Sequence, residues 1–373
     1  MRRLLALLLI LLPIQQPAAA GPARLSRVQT EQIRVAVRRT MAAAHIPGAS
    51  VAVGLEGRIA WSEGFGLADV ENNVPARPET AYRTASIGKS MTATAAMRLA
   101  EQGRLDLAAR IQRYCPRYPT ANGAITVRDL ISHTSGIRHY EGPTAAAEAY
   151  ITRHYDRVSD AIDIFARDPL VQAPGSDFHY TTWGYVVLGC VLEGASGEEF
   201  RTLIRTMIFE PAGMRATRDD DPRAIIPGRS AGYLYADGTL TNAPLADMSA
   251  KMAAGGFITT APDLVRFMQH WMAGGYGSAE TRAAMLTPYR LPGGDGTVDG
   301  FGMGWAIDDF RGHRAGLYGG STAGVSGFVY FVPDLGIAIA MLFNLEDVPG
   351  DQRVRLAHAI ADIALPAPRG RRP

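Results

Sequence analysis

Apolar residues recur at helical spacing through residues 25–44, at Val28, Ile33, Val37 and Met41, and Pro47-Gly48 stops the pattern, which predicts a first helix. Small and β-branched residues then alternate over 49–55, Glu56-Gly57 supplies a turn, and 58–66 resumes in strand fashion, so a β-hairpin follows. A helical pattern runs from Ser86 to Gln102 and is closed by Gly103, a residue that helix C-termini favour. Through 126–208 helical patterns broken by Gly and Pro dominate, with 182–192 the most apolar, and nothing there reads as a sheet. Near the other end, 302–307, 327–332 and 337–343 return to short apolar runs separated by Gly, Pro and Asp, and 352–363 closes as an amphipathic helix.

Strands therefore cluster at the two ends, and sheets need partners. The economical fold is α+β: one antiparallel sheet built from the N- and C-terminal segments and covered by the terminal helices, with an all-helical lobe inserted between them. The α/β lobe is expected over about 25–85 and 290–365 and the helical lobe over about 90–285, with a ligand site between lobes.

Composition narrows this further. At 373 residues with 47% hydrophobic and 20% charged positions, the chain excludes disorder, collagen-like repeats and coiled coil as its organisation. Residues 1–20 read as a secretory signal peptide, with Arg2 and Arg3 ahead of an apolar run over 4–12 and Ala18-Ala19-Ala20 offering small residues for cleavage. That run ends at Pro13, far short of the ~20 residues needed to span a bilayer. The expectation is an exported protein, periplasmic or extracellular, with one domain over 21–365 and a disordered tail over 366–373. The formal net charge is +2, and Arg2 and Arg3 account for it, so the remaining chain is neutral. No basic stretch stands out, which excludes nucleic acid as a partner. The eight His lack metal-ligand spacing, and Gly88-Lys89-Ser90 ends like a phosphate-binding loop although the required earlier glycine is Arg83. No metal and no cofactor is expected. Two cysteines, Cys115 and Cys190, are too few for a disulfide framework, and the sequence leaves their pairing open.

Of the 38 Lys plus Arg, only Lys89 and Lys251 are lysines. Arg cannot shed its proton in a protein, whereas a buried Lys can. Ser86-Ile87-Gly88-Lys89 brings a hydroxyl and an amine onto one face of a helix's first turn, where a desolvated Lys can take the serine proton and the helix N-terminus offers donors to developing negative charge. The alternative is an N-cap serine followed by a solvated Lys. Tyr180 sits at a loop-to-helix junction after Pro174-Gly175; near a Lys ammonium its pKa is expected to fall, making it a proton shuttle, and the alternative is a half-buried aromatic. Glycines crowd 317–324, and an edge strand there would aim the Ser321 N–H at the same point as that of Ser86, forming an oxyanion hole. Its alternative is a glycine-rich hairpin with no ligand. Gly228-Arg229-Ser230-Ala231-Gly232 also matches a hydrolase motif, but Pro227 precedes it and a turn-rich stretch follows, where the motif needs a strand and a helix.

Taken in order, Ser86-x-x-Lys89, His133-Thr134-Ser135-Gly136-Ile137, Tyr180-Thr181-Thr182 with Gly184-Tyr185 and Leu188-Gly189, Ala254-Gly255-Gly256 and Tyr318-Gly319-Gly320 resemble the landmarks of the serine β-lactamase and penicillin-binding protein superfamily. The branch they most resemble is that of class C β-lactamases and family VIII carboxylesterases. The resemblance spans about residues 25–345. It implies a β-lactamase/transpeptidase-like fold, Ser86 as the acylated nucleophile and Lys89 with Tyr180 as the proton-transfer pair. It further implies the Ser86 and Ser321 N–H groups as an oxyanion hole, with Thr182, Tyr318 and Gly320 at the substrate; His133, without metal-ligand spacing to other His, reads as structural, anchoring its turn.

Two departures bear on substrate. Thr182 stands where the family usually has an Asn that binds a substrate amide, and Tyr318 stands where many members carry a Lys or His. Both favour a small neutral ester over a penicillin, provided that Arg314, four residues before Tyr318, faces solvent. The expected function is an exported serine hydrolase acting on small neutral esters, its partner being a small-molecule ester or amide substrate. The alternatives are a β-lactamase or D-amino-acid peptidase of the same superfamily and, in another class, a non-catalytic cell-wall or β-lactam binding module.

Overall fold

The computed structural model describes residues 24–366 except 121–122, 292–296 and 299; the expected signal segment and all but the first residue of the expected tail lie outside the described residues. Helix α1 (Arg27–Ala43) begins at Ser26, whose side chain accepts the Gln29 N–H while the Gln29 side chain returns to the Ser26 N–H, a capping box that fixes its first turn. Strands β1 (Gly48–Leu55), β2 (Arg58–Asp69) and β3 (Val74–Pro75) follow, and then helix α2 (Ile87–Glu101). Late in the chain come β4 (Ala306–Phe310), β5 (His313–Thr322), β6 (Val325–Val332) and β7 (Ile337–Phe343), and the last helix covers Gly350–Ala364. All seven strands join one antiparallel sheet in the order β4-β5-β6-β7-β1-β2-β3, so the N-terminal hairpin meets the C-terminal meander at the β1–β7 pair, Val51 opposite Met341.

The central strands are buried on both faces, which is why they read as continuous apolar runs rather than as clean alternation. Along β7, Ile337, Ile339, Met341 and Phe343 enter the core beneath α1 and the last helix, while Ala338, Ala340 and Leu342 enter the core shared with the rest of the molecule. Gln29 Nε2 donates to the Ile363 carbonyl at 2.8 Å and ties the two terminal helices together. The other face packs on the helix Ala261–Met272 and on α2, which in turn packs on the apolar helix Thr182–Ser196.

The inserted segment differs from the expected all-helical lobe in detail. It carries short strands at Arg218–Asp219, Tyr233–Ala236, Thr239–Asn242 and Phe257–Thr259. Asp237 and Gly238, with φ of 51° and 76°, form the two-residue turn that closes the hairpin between the second and third of these, a signal of type I′ geometry. The end of the sheet agrees with the expected edge strand: β5 pairs with β4 only as far as Leu317 opposite Ala306, and from Tyr318 to Thr322 it has no strand on that side among the described residues.

Cys115 and Cys190 form a disulfide with a Cα separation of 5.5 Å across 75 residues of sequence. Closing a loop of that length removes unfolded-state entropy worth about 4 kcal/mol. The purified protein should therefore show no alkylatable thiol until it is denatured and reduced. Cys115→Ser should lower unfolding stability by about 2–4 kcal/mol in a urea titration.

Candidate active site

Ser86 stands where three segments converge. Thr84 is held from below, its N–H bonded to the Phe257 carbonyl at 2.8 Å and its hydroxyl to the Gly255 carbonyl at 3.1 Å. Ala85 then takes a φ of 47°, left-handed backbone that a residue with a Cβ adopts at a cost of order 1 kcal/mol. That turn delivers Ser86 to the start of α2 in helical conformation, with no capping hydrogen bond from its side chain. The N-cap alternative for Ser86 therefore does not hold. Its hydroxyl is engaged elsewhere, with Lys89 Nζ at 3.0 Å and the Tyr180 hydroxyl at 2.7 Å.

Lys89 is 1% exposed. Its Nζ has Thr182 Oγ1 at 3.1 Å and the Ala254 carbonyl at 3.3 Å, and among the described residues no carboxylate pairs with it. Burial, and secondarily the positive charge of Lys251, holds the amine well below its ordinary range. A neutral amine so placed can accept a proton from Ser86. Tyr180 departs from expectation: burial pushes its phenol up to about 12, and the hydrogen bonds to Ser86, Tyr318 and Thr182 offset that only in part. At neutral pH it is a proton donor.

Tyr180 is positioned by its flanks. Thr181 caps the helix Thr182–Ser196, its Oγ1 accepting the Gly184 N–H at 3.1 Å and donating to the Arg138 carbonyl at 2.7 Å. The Thr181 N–H donates to His133 Nδ1 at 3.1 Å, which fixes the His133 proton on Nε2, 3.3 Å from the Tyr318 hydroxyl. Burial keeps His133 neutral. Tyr318 is thus not at the substrate cavity: it is 4% exposed and faces His133 and the Tyr180 phenol, with which it hydrogen-bonds.

The cavity beside Ser86 measures about 60 Å³ and is lined by Ser86, Lys89, Thr182, Ser321 and, unforeseen, His139, Tyr140, Met248 and Lys251. Ser321 gives its hydroxyl to Asp347 Oδ1 at 2.8 Å, so it offers the cavity its main chain. Gly320 is pressed against Ser86: a Cβ there would sit 2.7 Å from the Ser86 nitrogen. Arg314 is exposed and reaches Thr287 Oγ1 at 3.4 Å, away from the cavity. Ser230 lines a separate cavity, with neither a strand before it nor a helix after it. The signal that could have found Lys251 was its rarity, since both lysines of the chain line one cavity.

If Lys89 takes the serine proton, the acid limb of a kcat/KM against pH profile reports its protonation, and activity falls as pH falls. Lys89→Arg should be inactive throughout, by on the order of 10²-fold or more, because a guanidinium stays protonated. Stopped-flow ester hydrolysis from pH 5 to 9 checks both. Activity retained by the Arg variant would remove Lys89 as the base.

The sequence matches the family described as Beta-lactamase over residues 33–364. It is 28% identical to the serine beta-lactamase-like protein LACTB, mitochondrial, of Mus musculus, with 89% of this chain and 79% of that protein covered. Among solved structures, the octameric penicillin-binding protein homologue from Pyrococcus abyssi superposes with a TM-score of 0.75 at 28% identity, covering 89% of this chain and 77% of that one. A D-stereospecific amidohydrolase from Streptomyces sp. superposes with a TM-score of 0.72 at 25% identity, covering 87% and 98%. The chain belongs to the β-lactamase family, within the serine β-lactamase and penicillin-binding-protein-like superfamily, and is a serine hydrolase.

Proposed function

We propose that the protein hydrolyses small esters through an acyl-enzyme on Ser86. The observation that carries this reading is the Ser86 hydroxyl held between a desolvated amine at 3.0 Å and a protonated phenol at 2.7 Å. Ser86 Oγ attacks the ester carbonyl carbon and its proton passes to Lys89 Nζ. The oxyanion is received by the N–H groups of Ser86 and Ser321, near the positive end of α2. As the carbon–oxygen bond breaks, Tyr180 gives its proton to the departing alkoxide and recovers one from the Lys89 ammonium. Water then attacks the acyl carbon, its proton passes through the Tyr180–Lys89 pair, and Ser86 leaves with a proton returned by Lys89.

Esters are favoured over β-lactams for local reasons. Thr182 spends its hydroxyl on Lys89 and offers no amide, and the position of Tyr318 supplies no cation for a β-lactam carboxylate. Arg314 is turned away, and the Arg353 guanidinium is committed to the Gly320 and Gly327 carbonyls at 2.9 Å each.

Export is part of the same proposal. It is supported by the charged start, apolar run and small residues over 1–20, and by the Cys115–Cys190 disulfide, which persists in an oxidising compartment. No described helix is long and apolar enough to cross a membrane.

Ser86→Ala should abolish cleavage of p-nitrophenyl acetate, while Ser230→Ala keeps it. The reverse outcome would move the nucleophile. In the wild type kcat/KM should be much larger for p-nitrophenyl acetate than for nitrocefin. A nitrocefin value equal or higher would make the protein a β-lactamase, and turnover confined to D-amino-acid amides would make it an amidase.

A further inference from the structure

The reading above uses one of the two lysines that line the cavity beside Ser86. The other, Lys251, is 3% exposed and ends the turn Met248–Lys251, just ahead of the Ala254 carbonyl that approaches Lys89. Its Nζ donates to the Ala149 carbonyl and lies 4.8 Å from the centre of the Tyr140 ring. No carboxylate pairs with it among the described residues. The two acids that attract it from a distance are committed to other donors. Glu148 takes Arg138 at 2.8 and 2.9 Å together with Thr144 and the Trp183 indole. Glu346 takes the Tyr150 hydroxyl at 3.1 Å and the Gly324 N–H at 2.7 Å.

A buried ammonium without a counter-ion is costly, and a fold that keeps one beside its nucleophile has left a place for an anion. The place is on a definite side of the reaction. Lys251 connects to the centre through Tyr140, which hydrogen-bonds Thr182, which in turn stands 3.1 Å from Lys89 Nζ. Tyr180, which protonates the leaving group, does not line this cavity, and neither does Tyr318. The departing alcohol therefore lies toward Tyr180, and the cavity holds the acyl chain that stays on Ser86.

We propose that Lys251 binds a carboxylate at the far end of the acyl chain, so that the preferred substrates are half-esters of short dicarboxylic acids. This rests on the ester reading and refines it: the site is neutral at the leaving group and cationic at the acyl end. The cation sought at residue 318 is absent there and present at 251.

The test compares p-nitrophenyl hydrogen glutarate with p-nitrophenyl methyl glutarate, whose acyl chains differ only in whether the terminal carboxylate carries a methyl ester. The wild type should favour the acid in kcat/KM by on the order of 10- to 100-fold, the size of one charge-assisted hydrogen bond, and mostly through KM. Lys251→Met should lose that preference and Lys251→Arg should keep part of it. Because the Lys251 charge also depresses Lys89, removing it alters turnover of both esters together, and their ratio cancels that effect. Equal values in the wild type, with Ser86→Ala dead on both, would overturn this inference and leave the ester reading standing. A preference that survives in Lys251→Met would overturn it as well, and failure to cleave either ester would fell both. The wild-type comparison needs no variant to fold.

Discussion

A buried amine without a carboxylate beside it is the condition on which the rest of this molecule turns. Lys89 keeps a usable lone pair only while it stays desolvated with no carboxylate of the protein fixed against it, since an adjacent Asp or Glu would restore the ammonium and abolish its basicity. The surrounding structure supplies that isolation. Helix α2 is buried from Ile87 through Met97 and again at Leu99, so it has no solvent face to speak of. A helix buried all round belongs inside a core. The small residues Ala93, Ala95 and Ala96 let the sheet, the helix Thr182–Ser196 and the Met252–Gly255 turn close in on it from several sides. Desolvation of the Lys89 amine is thus a property of the whole packing arrangement.

Close approach of backbone to backbone completes the site. Gly255 has a φ of 141°, and a Cβ there would fall 1.9 Å from the Ala85 carbonyl, so only glycine lets the Ala254 carbonyl come up to Lys89. Gly320 does the same on the strand side, against the Ser86 nitrogen. Between them Ala85 is held in a left-handed conformation by Thr84, whose main chain and side chain are both anchored to the 255–257 segment. Strain at one residue, fixed by hydrogen bonds at the next, aims a hydroxyl that a regular helix start would have spent on capping.

Much of this was legible in the sequence, for reasons that can be stated. The terminal helices and the strands β1, β2, β6 and β7 announce themselves because their apolar patterns are set by the core they fill. Ser86, Lys89 and Tyr180 come together as expected because order along the chain tracks position in the fold. Other features were not legible. The cysteine pair is separated by 75 residues, and nothing local fixes its partner choice. The direction of the Tyr180 shift is set by the burial of its own phenol, which only the fold decides. Tyr318 looked like a substrate contact because its neighbours Gly319 and Gly320 carry the motif, yet its side chain turns inward to His133. Residue type told little about side-chain direction, and direction decides function here.

The phenol at 318 and the ammonium at 251 make sense together. With the Lys251 charge already lowering the affinity of Lys89 for a proton, a third cation at 318 would add another buried charge with no acid to offset it. Like charges in a dry site interact far more strongly than in water, so each added ammonium drives some member of the set to lose its proton. A neutral phenol at 318 avoids that conflict and still serves Tyr180, since its hydrogen bond holds the Tyr180 phenol lower than burial alone would. The Nε2 proton of His133, fixed by the Thr181 N–H on the opposite nitrogen, is available to the Tyr318 oxygen and so frees the Tyr318 hydroxyl to donate onward. In the proposed reaction the one extra positive charge then lies on the acyl side and an aromatic hydrogen-bond chain on the leaving-group side, so that substrate charge and proton transfer would be handled by separate groups.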